Sequence, residues 1–318
     1  MVKASIKPTY VGMCFSFLLF LFGYIEYSQA QTVYLDSLYT TIEKSTYTYF
    51  NKPDEELKID LFDPIENRKG DRPVILYVHG GGFAGGERDH LVHEAFLKHF
   101  AHKGFVAATM SYTLQRKGKS FGCDVDAGIK IDTFLKTAQD VNRAVAFLVR
   151  NQEKLSINPA KIIIVGSSAG AEAVLHAAYW DSTKSDSIGT ILPDSFRYSG
   201  VISMAGAISN INHITSENAI PTQLFHGTDD QLVPYGIASH HYCPTGAPGF
   251  LMLFGAHTIM KRLQDNDSGY YMVAGINGRH EWASKPLSEF RDEISDFVYQ
   301  DVLLNKQRQI YLEVQNSN

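Results

Sequence analysis

Five residues, Gly166-Ser167-Ser168-Ala169-Gly170, directly follow the apolar run Ile162-Ile163-Ile164-Val165. A G-x-S-x-G pentapeptide that ends a buried strand and opens a helix describes a nucleophile elbow, a sharp turn that holds a serine hydroxyl up at the top of a sheet. The flanking glycines suit such a strained turn, where backbone meets backbone and a Cβ would clash. Alone the pentapeptide is a weak signal, since a chain of this size and composition contains one by chance roughly one time in ten. The segments around it carry the rest of the inference.

Upstream, His79-Gly80-Gly81-Gly82-Phe83 follows a second apolar run, Val74-Ile75-Leu76-Tyr77-Val78. Three consecutive glycines after a strand can fold back so that backbone N–H groups point into a cleft, the geometry an oxyanion hole requires. The bland alternative is a turn whose glycines only relieve crowding, but a serine elbow needs a partner loop of this kind. His79 reads as a brace for the loop rather than a proton carrier.

Downstream, the short strand Gln223-Leu224-Phe225 leads into His226-Gly227-Thr228-Asp229-Asp230-Gln231-Leu232-Val233-Pro234. Only one of the two adjacent aspartates can orient a histidine base. That base is expected after one more strand, Tyr270-Tyr271-Met272-Val273-Ala274, where Asn277-Gly278-Arg279-His280-Glu281-Trp282 supplies His280. Of the 12 histidines, His280 alone sits in a polar, glycine-containing loop after the last predicted strand. His90, His93, His99 and His102 fall in one predicted helix, and His240 and His241 in an irregular loop, where surface or packing roles are the default. Serine, then acid, then histidine is one of three chain orders known for this constellation.

These motifs together resemble the HGGGF-containing carboxylesterases of the α/β-hydrolase superfamily, particularly small exported bacterial esterases, over residues from about 45 to 305. The resemblance implies an α/β-hydrolase fold, a mostly parallel sheet with helices on both faces. It also selects Asp230 over Asp229, because the stretch is similar to the H-G-x-x-D-x-x-V-P acid turn of that superfamily. Ser168, Asp230 and His280 are then the expected catalytic residues, with backbone N–H groups of Gly80, Gly81 and Ala169 as oxyanion donors. One departure stands out: where many relatives carry Asp-Tyr-Arg-Leu after the fourth strand, this chain reads Ser111-Tyr112-Thr113-Leu114.

The coarse pattern agrees with that fold. Segments 46–50 and 57–62 alternate like an antiparallel pair at a sheet edge. Strands at 74–78, 105–110, 162–165, 200–205, 222–226 and 270–274 are interleaved with helices at about 89–102, 168–180 and 287–304 and a long helix after the loop 115–130, in which Phe134, Ala138, Val141, Val145 and Leu148 repeat at helical spacing. Such alternation predicts parallel strands, right-handed crossovers and helices on both faces. Only about fifteen residues separate the sixth strand from the acid-bearing one, an ordinary crossover length that leaves no room for a large helical cap.

With 318 residues, 44% hydrophobic and 20% charged, the chain can bury a large core, and one domain is expected over 31–318. The formal net charge of −5 with scattered basic residues argues against nucleic acid or an anionic membrane surface as partner. No cofactor or metal is expected, since the histidines lack a ligand spacing such as H-E-x-x-H. Residues 1–30 read as a signal peptide: Lys3 and Lys7, an apolar stretch from Val11 to Ile25, and small residues in Ser28-Gln29-Ala30. The stretch is shorter than the about 20 apolar residues a spanning helix wants, so the expected product is secreted or periplasmic with no stable membrane anchor. Cys123 and Cys243 would then be the two remaining cysteines, either paired, as an oxidising compartment favours, or separate thiols.

The expected substrate is a small-molecule or polysaccharide-linked ester, with acetyl and feruloyl esters implied by the family analogy. The site is expected to be open unless loops 115–130, 181–199 and 236–254 cover it. Within those loops Phe121, Tyr235, Tyr242 and Phe250 are candidates to stack on a substrate ring. Two other readings of the same residues are a serine peptidase or amidase on this fold, and a catalytically silent binding protein.

Overall fold

Chain entry is through an antiparallel pair, β1 (Ile42–Asn51) and β2 (Glu56–Pro64), in which Thr46 faces Asp60. Strand and helix then alternate through β3 (Arg72–Val78), α1 (Leu91–Ala101), β4 (Val106–Met110), α2 (Ala127–Arg150), the single turn α3 (Gln152–Leu155), β5 (Ile157–Ser167), α4 (Ala169–Tyr179) and β6 (Gly200–Met204). Beyond these lie β7 (Ala207–Ile208), β8 (Thr222–Gly227), β9 (Ile237–Ser239), β10 (Met252–Gly255), α5 (Ala256–Asp265), β11 (Tyr270–Ile276), α6 (Pro286–Glu289), α7 (Arg291–Phe297) and β12 (Gln309–Gln315). The computed structural model describes residues 32–67, 70–180, 191–193 and 195–315. The predicted signal peptide, and residues 181–190 and 194 of the predicted 181–199 loop, lie outside the described residues.

Among the described residues nine strands form one sheet in the order β1-β2-β4-β3-β5-β6-β8-β11-β12. The pairs β1–β2 and β2–β4 are antiparallel and the rest parallel, so the mostly parallel sheet is as expected. Every residue of β3, β4, β6 and β8 is buried, which explains why these strands do not alternate apolar with polar residues. Successive side chains point to opposite faces. Val74, Leu76 and Val78 of β3 pack in one core with Phe134, Val141 and Val145 of α2 and Val174 of α4, whereas Ile75 and Tyr77 pack in a second core with Phe96 and Phe100 of α1 and Phe297 of α7. Helices therefore cover both faces, the arrangement of an α/β-hydrolase fold.

Several element boundaries differ from expectation. The loop predicted to run to residue 130 ends earlier, because the Asp126 side chain accepts a hydrogen bond from Gly128 N at 2.7 Å and starts α2 at Ala127. The predicted loop 236–254 contains β9 and β10, which pair antiparallel and join β7 in a second, three-stranded sheet. Helix α5, which follows it, was not anticipated. The single predicted helix at 287–304 is broken at Phe290 into α6 and α7 and closes in a π-helical turn at Val298–Leu303. Strand β12, parallel to β11, escapes an apolar-run reading because it is a largely exposed edge strand, Gln-Ile-Tyr-Leu-Glu-Val-Gln. Between β6 and β8 lie only β7 and a helical turn at Ile211–His213, so no helical cap is inserted there.

Candidate active site

Ser168 is the residue between the end of β5 and the start of α4, and it takes a left-handed φ of 51° with ψ −120°. That backbone conformation is costly for a residue with a Cβ. It is held by Ser168 N donating to the Met204 carbonyl at 2.8 Å and by the Ser168 carbonyl accepting from Glu172 N at 3.0 Å. The flanking glycines leave no space for side chains. A Cβ on Gly166 would lie 2.2 Å from the Gly170 carbonyl oxygen, and one on Gly170 would lie 2.2 Å from that of Val78.

Ser168 Oγ lies 2.8 Å from His280 Nε2, and His280 Nδ1 lies 2.7 Å from Asp230 Oδ2. The three residues come from the ends of β5, β8 and β11, which are adjacent to β6 or to each other in the sheet order. With Nδ1 donating to the carboxylate, Nε2 is free to accept from the serine hydroxyl. Asp230 is fully buried, and its Oδ1 accepts from Leu232 N at 2.8 Å and Val233 N at 3.1 Å. Asp229, by contrast, is exposed, and its carboxylate accepts from the neighbouring Thr228 hydroxyl at 3.3 Å.

Burial pushes the Asp230 carboxyl up, but hydrogen bonds from His226 and His280 outweigh it and hold the group well below the usual carboxylate range. His226 is a partner that sequence reading missed. Its Nε2 donates to the Val233 carbonyl at 3.1 Å and lies 3.3 Å from Asp230 Oδ2. The signal was present, since His226 opens the same turn four residues before the aspartate.

The turn carrying His280 is seated on the elbow itself: Ser167 Oγ donates to the Ala283 carbonyl, and buried Trp282 packs against Gly275 and Gly278. The glycine loop lies opposite. Gly80 is so close to the elbow that a Cβ on it would lie 3.1 Å from Ser168 Cβ, and Gly81 has a φ of +116° that L side chains rarely adopt. His79 is buried, stacks on Tyr112 at 4.4 Å and donates from Nδ1 to the Gly80 carbonyl at 2.7 Å. The Tyr112 hydroxyl donates to the His79 carbonyl at 3.0 Å. His79 thus braces the loop and takes no part in the relay, and Tyr112 holds it even though the residues on either side of that tyrosine depart from the family pattern.

Gly80, Gly81, Ala169, Ser168 and His280 all border one cavity of about 500 Å³, within the range of small-molecule sites. Its walls include Phe83, Phe121, Leu232, His240 and His241, and its lining includes Glu172. Of the four aromatics proposed to stack on substrate, only Phe121 lines this cavity; Tyr235 stacks instead on His257 at 5.4 Å, while Tyr242 and Phe250 are partly exposed. Loops 115–130 and 236–254 thus supply walls of the site, and they are joined to each other. Cys123 and Cys243 form a disulfide, with Cα atoms 5.3 Å apart, reinforced by Gly249 N donating to the Cys123 carbonyl at 2.9 Å. Glu172, His240 and His241 were not anticipated as lining residues, although a lone acidic residue in the apolar stretch Ala169–Tyr179 was a visible anomaly.

A parallel sheet covered on both faces, with a strand–serine–helix elbow and an acid and a histidine on later strand ends, is the arrangement of the α/β-hydrolase fold. Comparison with known proteins finds similarity to esterases of that fold. The family model described as BD-FAE matches residues 59–198. Gut esterase 1 of Caenorhabditis elegans is 32% identical over 111 residues, 35% of this chain and 19% of that protein, and Esterase B1 of Culex pipiens is 28% identical over 132 residues, 41% and 23%. The alignments thus span about a fifth of the length of these curated relatives. Among solved structures, the propionate-bound thermophilic esterase Est2 of the Planctomycetes species Thermogutta terrifontis matches with a TM-score of 0.60 at 16% identity, covering 80% of this chain and 93% of that one. The same esterase phosphorylated by paraoxon matches with a TM-score of 0.56 at 17% identity, covering 80% and 94%.

Proposed function

We propose that this protein hydrolyses carboxylic esters through an acyl-enzyme on Ser168. The observation that carries the reading is the unbroken relay from Ser168 Oγ through His280 to buried Asp230, at 2.8 and 2.7 Å, beside a glycine loop on the same cavity. His280 takes the hydroxyl proton as Ser168 Oγ bonds to the ester carbonyl carbon. Charge gathers on the carbonyl oxygen, for which the N–H groups of Gly80, Gly81 and Ala169 are the donors, the last at the positive end of α4. Collapse breaks the C–O bond to the alcohol, which leaves with the proton from His280. Water then repeats the sequence on the acyl-enzyme, giving the acid and restoring the serine. Asp230 stays ionised throughout and keeps the imidazole in the productive tautomer.

The acyl class proposed is acetyl or feruloyl, and the enzyme is proposed to act outside the cytoplasm after loss of residues 1–30. The Cys123–Cys243 disulfide supports export, because such bonds persist in oxidising compartments. The test is hydrolysis of a graded set of 4-nitrophenyl esters, acetyl to decanoyl, with methyl ferulate beside them, by the protein and its Ser168→Ala variant. Turnover by the unmodified protein alone is expected; equal rates in both would remove Ser168 from the chemistry.

A further inference from the structure

Glu172 lies one helical turn beyond Ser168 in α4 and lines the same cavity. The residue is 2% exposed, and its Oε1 has no hydrogen-bond partner among the described residues. His240 places Nε2 at 3.9 Å from Oε1, beyond hydrogen-bond range. Lys130 Nζ is engaged elsewhere, donating to the Gly249 carbonyl at 2.9 Å. Burial, with the Asp230 charge adding to it and Lys130 opposing, raises the Glu172 carboxyl well above the usual carboxylate range, and burial drives His240 down to about 2. The upward shift favours the neutral form of the Glu172 carboxyl, which offers one O–H donor and one carbonyl acceptor. The hydrolytic relay uses neither, and a buried polar group without a partner is costly to keep.

The position of Glu172 says which part of a substrate meets it. The leaving alcohol must end beside His280 Nε2, on a side chain that is 24% exposed and stands at the mouth of the cavity. The side chains of Glu172 and His240, 3% and 2% exposed, belong with Phe83 and Val233 to the buried part of the lining, and the acyl group, on the side of the ester away from the leaving alcohol, is assigned to that part. Glu172 follows Ser168 by four residues, its N–H donating to the Ser168 carbonyl at 3.0 Å, and both side chains border the same cavity, which points its carboxyl to the acyl carbons next to the ester carbonyl. Phe83, Phe121 and Leu232 offer only apolar surface along the way.

We propose that Glu172 is a specificity-determining residue of the acyl pocket, hydrogen-bonding a hydroxyl or oxo oxygen on the second or third acyl carbon, so that esters of short oxygen-substituted acids are favoured over plain alkanoates. This rests on the ester-hydrolase reading above and favours a different acyl class from acetyl or feruloyl, neither of which carries an oxygen on those carbons. The test compares 4-nitrophenyl butanoate with 4-nitrophenyl 3-hydroxybutanoate for the full chain and its Glu172→Met and Glu172→Gln variants, with a fluorophosphonate probe reporting the state of Ser168. The expected kcat/KM ratio favours the hydroxy ester by at least about tenfold. Glu172→Met brings that ratio near one, while Glu172→Gln, which keeps a donor and an acceptor, stays within about threefold of the parent ratio. A parent ratio near one, or a ratio unmoved in Glu172→Met, overturns the proposal; should Glu172→Met not fold, the parent ratio and Glu172→Gln decide. Labelling of Ser168 with equal turnover of both esters isolates the failure to Glu172. No labelling and no turnover bring down the ester-hydrolase reading, and this inference with it.

Discussion

At the scale of single residues, Asp230 and Asp229 separate cleanly although they are neighbours in the chain. Asp230 is buried, takes two backbone N–H bonds on one oxygen and the His280 imidazole on the other, which also has His226 Nε2 at 3.3 Å, and its carboxyl is held well below the usual range. Asp229 is exposed. Replacing Asp230 by Asn preserves the shape but turns an acceptor toward His280 into a donor, favouring the wrong tautomer. The expected loss is roughly 10⁴-fold in kcat, with KM little changed, whereas Asp229→Asn stays within a few-fold of the parent. Steady-state kinetics on one activated ester check both; similar losses in the two variants would mean the relay is wrongly assigned. The glycines of the elbow respond through space rather than charge. Gly170→Ala puts a methyl 2.2 Å from the Val78 carbonyl oxygen, backbone against backbone with no flexible atom to give way. A loss of about 3 kcal/mol or more is expected, read as a lower urea midpoint, while a variant as stable as the parent would show that the elbow is looser than drawn.

At the scale of elements, helix α4 carries the nucleophile at one end and a buried histidine further along. His176 stacks on Phe134 of α2 at 5.1 Å, and its Nδ1 donates to the Glu172 carbonyl at 2.6 Å. Burial drives its pKa down to about 4. The unfolded chain binds a proton near pH 6.5 that the folded one refuses until about pH 4. The stability this histidine contributes is therefore full above about pH 6.5 and is lost as pH falls toward 4, at ~1.4 kcal/mol per pH unit. His93 and His99, also down to about 4 through burial, act in the same direction. Urea midpoints between pH 7 and 4 should fall steadily, and His176→Gln should reduce that slope by one proton's worth whatever its effect at pH 7. An unchanged slope would mean His176 titrates normally. Helix α4 also shows what a sequence can and cannot disclose. Its elbow is written in local residues, Gly166 to Gly170, and so were the strand before it, the order of the relay and the choice of His280. Edge strand β12 was invisible because exposure removes the apolar run that marks a buried strand. Glu172 escaped because its meaning depends on which loops close over it, and those loops come from residues 115–126 and 236–254.

At the scale of the whole molecule, those two loops act as one wall because Cys123 and Cys243 join them across 120 residues of sequence. The bond crosses from the start of α2 to the segment between β9 and β10, and with it come Phe121 on one side and His240 and His241 on the other, all lining the cavity. Ala127 N to the Pro248 carbonyl at 3.0 Å and Lys130 Nζ to the Gly249 carbonyl at 2.9 Å continue the seam. A cross-link that closes so long a loop restricts the unfolded chain, and removing one costs roughly 2–5 kcal/mol. It should also cost activity, because the wall would lose its covalent tie and rest on hydrogen bonds and ring contacts such as Phe121–His240 at 5.2 Å. The double variant Cys123→Ser, Cys243→Ser is therefore expected to unfold several degrees lower and to lose kcat/KM chiefly through KM, since the relay on β5, β8 and β11 is built without the loops. Thermal unfolding and ester kinetics with and without a reductant give the same comparison in the parent. If reduction lowers the unfolding temperature but leaves KM untouched, the disulfide serves the fold alone, and the two loops shape the acyl pocket without it.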